Sequence, residues 1–243
     1  MDGTASAAEI AKFDRIAAEW WDPEGPMAPL HRMHPCRMDW VVNALATALG
    51  RDAGAPLPLA GLRLLDVGCG AGLVAESLAH AGASVTGLDA AAEALAVARR
   101  HAEAGGLDID YRDGTPEALL AEGVPPFDVV TALEVVEHVT DRAGFCLSLA
   151  RLVKPGGLVV LSTLNRTVRS LLTAKFAAEY VLRWLPAGTH DWRGFVRPAE
   201  LGADCRAAGL HVCKIAGMEL APGGGWRTCR NVGVNYILLA QRA

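Results

Sequence analysis

Leu64-Leu65-Asp66-Val67-Gly68-Cys69-Gly70-Ala71-Gly72-Leu73-Val74-Ala75-Glu76-Ser77-Leu78, followed by Ser84-Val85-Thr86-Gly87-Leu88-Asp89, decides the fold of this chain. An apolar run of strand length enters a loop of three alternate glycines, a helical pattern follows, and a second apolar run ends on an acid. Small residues let a backbone turn sharply after a strand and approach a ligand closely.

The spacing narrows the ligand. A G-x-G-x-x-G loop seats a pyrophosphate, whereas Gly68, Gly70 and Gly72 form G-x-G-x-G. Asp89 stands roughly 20 residues beyond the loop, where a carboxylate accepts both hydroxyl protons of a ribose. A ribose-reading acid without a phosphate grip favours S-adenosylmethionine over a dinucleotide. Asp66, Gly68, Gly70, Gly72 and Asp89 are then candidate cofactor residues. The rival reading is a glycine turn with Asp89 capping the next helix.

Outward from this unit the alternation continues with DIDYRD at 108–113, FDVVTAL at 127–133, a helix around 142–153 and GGLVVLSTL at 156–164. Continuous apolar strands alternating with helices predict a parallel sheet covered on both faces. Upstream, apolar spacing predicts a helix over 8–21, a turn-rich passage over 22–37, and a second helix over 38–49. A loop over 50–61 separates these from the core. Downstream come a helix after Pro198, a strand near 211–215 and a last strand over 234–241. The expected organisation is a single domain: a helical arm (1–60), a cofactor-binding core (61–165), an inserted segment (166–192) and a completion of the sheet (193–243). Asp113 is a candidate for the adenine amine or a turn residue before Gly114, and Leu133 either flanks the adenosyl group or packs at its strand end.

At 243 residues with a formal net charge of −4, the chain is no general nucleic-acid binder. It contains no run of about 18 apolar residues, so no spanning helix is expected. Its start lacks the apolar core of a secretory signal, which predicts a cytoplasmic location. The six cysteines are scattered without a C-x-x-C pair and read as reduced packing residues.

Glu134, Glu137 and His138 follow the fourth strand at its carboxyl end, where open α/β sheets place ligands. If the chain turns helical there, these positions share a face and could hold one divalent cation. Oxygen ligands favour magnesium or manganese, and the histidine keeps zinc open. The alternative role is His138 as general base, oriented by Glu134 or Glu137.

Nearly the whole chain resembles the ubiquinone-biosynthesis O-methyltransferases. The resemblance rests on FDRIAAEWWDPEGPMAPLHRMHPCR, LDVGCGAGLVAESLAHAGASVTGLD, FDVVTALEVVEHV, LVKPGGLVVLSTLNR, GTHDW and VGVNY. It implies a Rossmann-like class I methyltransferase fold, with a mostly parallel doubly wound sheet and an antiparallel last strand. It also implies that Arg37 joins Gly68, Asp89 and Leu133 at S-adenosylmethionine by pairing with the methionine carboxylate, and that Glu134, Glu137 and His138 bind a metal. The implied substrates are polyprenylated catechol-type rings, namely an early polyprenyl hydroxyphenol and the late demethylubiquinol. Other proteins of ubiquinone biosynthesis are implied partners. His34 departs from the pattern, which generally has asparagine there.

The segment 166–185 is cationic, with Arg166, Arg169, Lys175 and Arg183 against Glu179, and carries an apolar helical stripe from Val168 to Leu185. It reads either as a peripheral contact with an anionic membrane, on the inner face of the cell membrane, or as a lid over the active site.

Overall fold

A computed structural model describes residues 7–171 and 192–243. Two helices, α1 (Ala7–Ile16) and α2 (Ala28–Ala48), precede the sheet. The glycine unit then folds as β1 (Arg63–Val67), α3 (Leu73–His80) and β2 (Ser84–Asp89). The alternation runs on through α4 (Ala92–Ala104), β3 (Ile109–Asp113), α5 (Pro116–Ala121), β4 (Phe127–Leu133), α6 (Arg142–Leu152) and β5 (Val153–Leu164). After the undescribed stretch come α7 (Pro198–Ala207), β6 (Leu210–Leu220), β7 (Trp226–Cys229) and β8 (Asn235–Arg242).

Among the described residues the strands form one sheet in the order β3-β2-β1-β4-β5-β8-β6-β7. β1 pairs parallel with β2 and β4, and β2–β3 and β4–β5 are parallel too. β8 inserts antiparallel between β5 and β6, so the sheet is mostly parallel with an antiparallel last strand. β7 is a further antiparallel strand at the edge. The order reverses between β1 and β4, and the crevice beyond their carboxyl ends is where such a sheet takes ligands.

Both faces are covered because successive residues of each strand point to opposite sides. Leu64, Val129 and Val160 pack with Val41 and Leu45 of α2, Leu78 of α3 and Leu95 of α4. Leu65, Val130 and Val159 pack with Leu119 of α5, Phe145 and Leu149 of α6, and Leu201 of α7. Each such side chain contributes about 1.5–3 kcal/mol of burial.

The front section differs from its sequence reading. α1 ends at Ile16 and a 3-10 turn covers Ala17–Glu19, instead of one helix to Trp21. α2 starts ten residues before the expected Met38 and takes up part of the turn-rich passage. Pro29 sits in its first turn, where a missing N–H costs little. Pro35 lies inside the helix, and tertiary contacts outweigh its local penalty: His31 Nε2 meets the Trp20 carbonyl at 2.7 Å and Arg37 is buried. Most of the inserted segment lies in 172–191, outside the described residues. None of the described helices is long and apolar enough to cross a membrane.

Candidate active site

A cavity of about 170 Å³ opens at the switch point, lined by Arg37 of α2, Gly68 and Cys69 of the glycine loop, Asp89, Leu133, Glu134 and His138. Ile10 and Phe13 of α1 and the ring of Trp20 close its other side. The loop can pass under this arm because Gly68 and Gly70 take positive φ, 68° and 53°. A Cβ on Gly70 would overlap the Trp20 indole. Trp21 anchors the arm next to it, stacked on His101 at 3.5 Å with its Nε1–H donating to the Ala71 carbonyl at 2.9 Å.

Asp89 ends β2 and braces the loop: Oδ2 accepts from Gly70 N–H at 2.7 Å and Oδ1 from Ala91 N–H at 2.8 Å. Burial raises its pKa, and these two amides oppose the rise. Each oxygen keeps a second lone pair for a further donor.

Arg37 is 1% exposed, yet its Nε and Nη1 have no hydrogen-bond partner. Only Nη2 is engaged, at 3.4 Å from His34 Nδ1, and the nearest carboxylate, Glu134 Oε1, stands 3.9 Å from Nη1. A buried guanidinium with idle donors on a cavity wall fits a ligand carboxylate. The glycine cradle, Asp89 and Arg37 therefore suit S-adenosylmethionine, which offers a ribose and a carboxylate and carries no phosphate.

Glu134 follows β4 with φ 57°, in the left-handed region that non-glycine residues rarely adopt. Its backbone is tied to Ser162, whose hydroxyl donates to Glu134 Oε1 at 2.7 Å. Glu137 Oε2 accepts from Thr163 at 2.8 Å, and burial followed by repulsion from Glu134 pushes its pKa well above the usual range. His138 donates from Nδ1 to Glu9 Oε2 of α1 at 2.8 Å, with Phe13 edge-on to its ring at 5.3 Å. Burial lowers the His138 pKa, against the pull of Glu9.

Residues 65–161 match the methyltransferase domain family. A ubiquinone biosynthesis O-methyltransferase of Cereibacter sphaeroides is 49% identical over 241 residues, covering 98% of this chain and 97% of the relative. One from Methylobacterium nodulans is 50% identical over 235 residues, covering 96% and 94%. The chain belongs to the ubiquinone biosynthesis O-methyltransferases. It is an S-adenosylmethionine-dependent methyltransferase. In fold it is similar to magnesium protoporphyrin IX methyltransferase from Synechocystis with bound S-adenosylmethionine, at a TM-score of 0.64, 20% identity and 100% of both chains. An S-adenosylmethionine-dependent methyltransferase from Thermotoga maritima also gives a TM-score of 0.64, at 17% identity over 97% of this chain and 100% of that one.

In this O-methyltransferase the cavity gathers Arg37, Gly68, Asp89, Leu133, Glu134 and His138. Other sequence candidates stand elsewhere. Asp66 is buried behind the loop, where Oδ1 accepts from Thr131 at 2.6 Å and burial lifts its pKa to about 7. Gly70 and Gly72 make room for Trp20 and Tyr111. Asp113 is exposed and off the wall, its place taken by Gly114, Thr115 and Pro116.

The helical face expected for Glu134, Glu137 and His138 is corrected. The chain does not turn helical after Leu133, because Glu134 takes a left-handed conformation and a turn follows. Ser162, Thr163 and Glu9 hold Glu134, Glu137 and His138 respectively, and the Glu134 carboxylate lies close enough to Glu137 to raise its pKa. Among the described residues no group of three His, Cys, Asp or Glu side chains is arranged to hold a metal ion. The orienting partner of His138 is Glu9, which the sequence reading missed because it lies 129 residues away with no linking motif. Trp20 was legible only as part of a helical stripe.

Proposed function

We propose that this chain methylates a ring hydroxyl of a polyprenylated catechol-type intermediate of ubiquinone biosynthesis. The observation that carries the reading is the single cavity joining the idle donors of Arg37, the carboxylate of Asp89 and the Glu9-held imidazole of His138. The names of its relatives support the pathway.

When bound, S-adenosylmethionine supplies an electrophilic methyl group on a sulfonium. Arg37, with its Nε and Nη1 donors unengaged, would hold the methionine carboxylate, and Asp89, which braces the loop, would accept the ribose hydroxyls. Glu9 accepts from Nδ1–H and so favours the tautomer in which Nε2 is the basic nitrogen of His138. That nitrogen takes the phenol proton as the oxygen becomes a nucleophile. Burial lowers its pKa, which favours the neutral imidazole that a base requires. Ile10, Phe13, Met27 and Phe145 give the cavity an apolar wall that suits a hydrocarbon-bearing ring and excludes water. Among the described residues Glu134, Glu137 and His138 are not arranged as a three-ligand metal site, and no step is routed through a cation.

The same reading puts the working enzyme at an anionic membrane surface, where a long-prenyl substrate resides. Val168 and Leu171, at the described start of the cationic segment, are 70% and 38% exposed. Arg166 is committed to Glu200 and adds little to lipid attraction.

The test is transfer of labelled methyl from S-adenosylmethionine to a short-chain demethylubiquinol, with and without chelator. The expected result is a singly methylated ring product in both. A protein that binds S-adenosylhomocysteine but labels neither catechol nor demethylubiquinol overturns the substrate reading. Turnover that vanishes with chelator and returns with magnesium overturns the metal-free mechanism.

A further inference from the structure

Behind Arg37, a chain of hydrogen bonds fixes which donors the guanidinium keeps free. His34 is one helical turn ahead on α2 and is buried with it. Its Nε2 lies 2.7 Å from Ser77 Oγ of α3. Arg37 has donors only, so the imidazole nitrogen that faces it accepts, and Ser77 Oγ takes the role of acceptor from Nε2 while its hydroxyl donates to the Leu73 carbonyl at 3.2 Å. Nε2 therefore carries the imidazole proton, and Nδ1 presents a lone pair to Arg37 Nη2 at 3.4 Å. Burial, the charge of Arg37 and that of His31 push the His34 pKa down to about 3, so no second proton competes with the arginine.

We propose that His34 is a positioning residue for the cofactor carboxylate clamp: relayed from Leu73 through Ser77, its Nδ1 takes Arg37 Nη2 and turns Nε and Nη1 toward the cavity. The relay locks α2 to α3, the helix that starts from the glycine loop, so the clamp and the loop are set from one frame. Without it the guanidinium is free to rotate its donors toward Glu134 or Asp66, the two carboxylates that face it.

This inference rests on Arg37 taking the methionine carboxylate, and two probes separate the questions. S-adenosylhomocysteine carries that carboxylate, and 5′-methylthioadenosine has the same nucleoside and sulfur without it. By calorimetry, Arg37→Met should lose S-adenosylhomocysteine affinity by about a hundredfold and hold 5′-methylthioadenosine within about twofold. His34→Leu should show the same selectivity at about tenfold. His34→Asn should return to within about threefold of wild type, because Oδ1 of asparagine stands two bonds from Cβ as Nδ1 does, and can accept from Arg37.

If Arg37→Met weakens both probes equally, the carboxylate reading falls and the inference with it. If Arg37→Met is selective but His34→Leu binds S-adenosylhomocysteine as wild type does, the positioning role alone is overturned. Equal loss of both probes in His34→Leu, or no recovery in His34→Asn, marks His34 as a packing residue and overturns it too. Should His34→Leu fail to fold, Ser77→Ala leaves the imidazole in place but frees its tautomer. A selective severalfold loss of S-adenosylhomocysteine there supports the relay, and wild-type binding overturns it.

Discussion

Glu9 Oε2 lies 2.8 Å from His138 Nδ1, so the first helix of the chain supplies the carboxylate that sets the imidazole after β4. On the proposed mechanism the helix is part of the reaction site as well as a wall of the cavity. Burial raises the Glu9 pKa, but the bond from Lys12 and the attraction of His138 and Lys12 lower it overall, which keeps its charge opposite the ring.

A base of this kind gives kcat/KM an acidic limb, since protonated His138 cannot accept the phenol proton. Its midpoint should fall below the ordinary histidine value of 6.5, because burial lowers the pKa. Glu9→Gln removes an attraction that favours the imidazolium. The limb should therefore move to still lower pH while the plateau drops about tenfold, because the tautomer is less well fixed. His138→Ala should cost roughly a hundredfold or more in kcat with little change in S-adenosylhomocysteine affinity. A limb that moves upward in Glu9→Gln contradicts the assignment.

Asp89→Ala should weaken S-adenosylhomocysteine binding by about 2–3 kcal/mol, the scale of a charge-assisted pair of ribose hydrogen bonds. Asp89→Asn should recover little of it. The carboxylate accepts from Gly70 N–H and Ala91 N–H with different oxygens, and an amide has only one acceptor to offer. Calorimetry on the two variants checks this, and near-wild-type affinity in Asp89→Asn would show that the backbone bracing is dispensable.

Gly70→Ala meets two obstacles, a φ of 53° and the Trp20 indole. A loss of about 1–3 kcal/mol is expected, with release of the arm. Limited proteolysis should then cut between α1 and α2 faster than in wild type. Adding Trp20→Ala should remove the steric part but leave the backbone strain, so the double variant should be more stable than the sum of the singles. Strict additivity would mean that the indole yields freely.

The cofactor half of this site was legible because its signal is local: a strand buried on both faces, alternate glycines and an acid at the next strand end sit within one stretch of chain. In the candidate reaction half the residues were legible and their arrangement was not. Glu134, Glu137 and His138 have the spacing of a helical face, but the left-handed turn at Glu134 breaks that face, and it depends on Ser162 of β5 holding both backbone and carboxylate. The early start of α2 was hidden by Pro29 and Pro35, which propensity reads as a turn and tertiary packing overrides. β7 escaped notice because four residues beside three glycines carry little periodicity. Arg37 could be suspected only by resemblance, since its two idle donors exist only once α2 is packed against the sheet.

The membrane reading makes the last prediction. Val168 and Leu171 are apolar, exposed and lead into a segment whose sequence is cationic and rich in aromatic and aliphatic residues. A segment of this composition binds by burying apolar side chains at the headgroup boundary and by charge attraction to anionic lipid. Vesicles containing anionic lipid should therefore retain the protein more than neutral ones, and salt should weaken only the charge part as the screening length shrinks. Val168→Ser with Leu171→Ser touches neither the cofactor cavity nor the ion pair of Arg166 with Glu200. The double variant should lose vesicle retention and turnover of a long-prenyl substrate, yet methylate a short water-soluble catechol at the wild-type rate. Equal loss on both substrates, with a wild type that ignores vesicles, would instead make these side chains part of a closing lid.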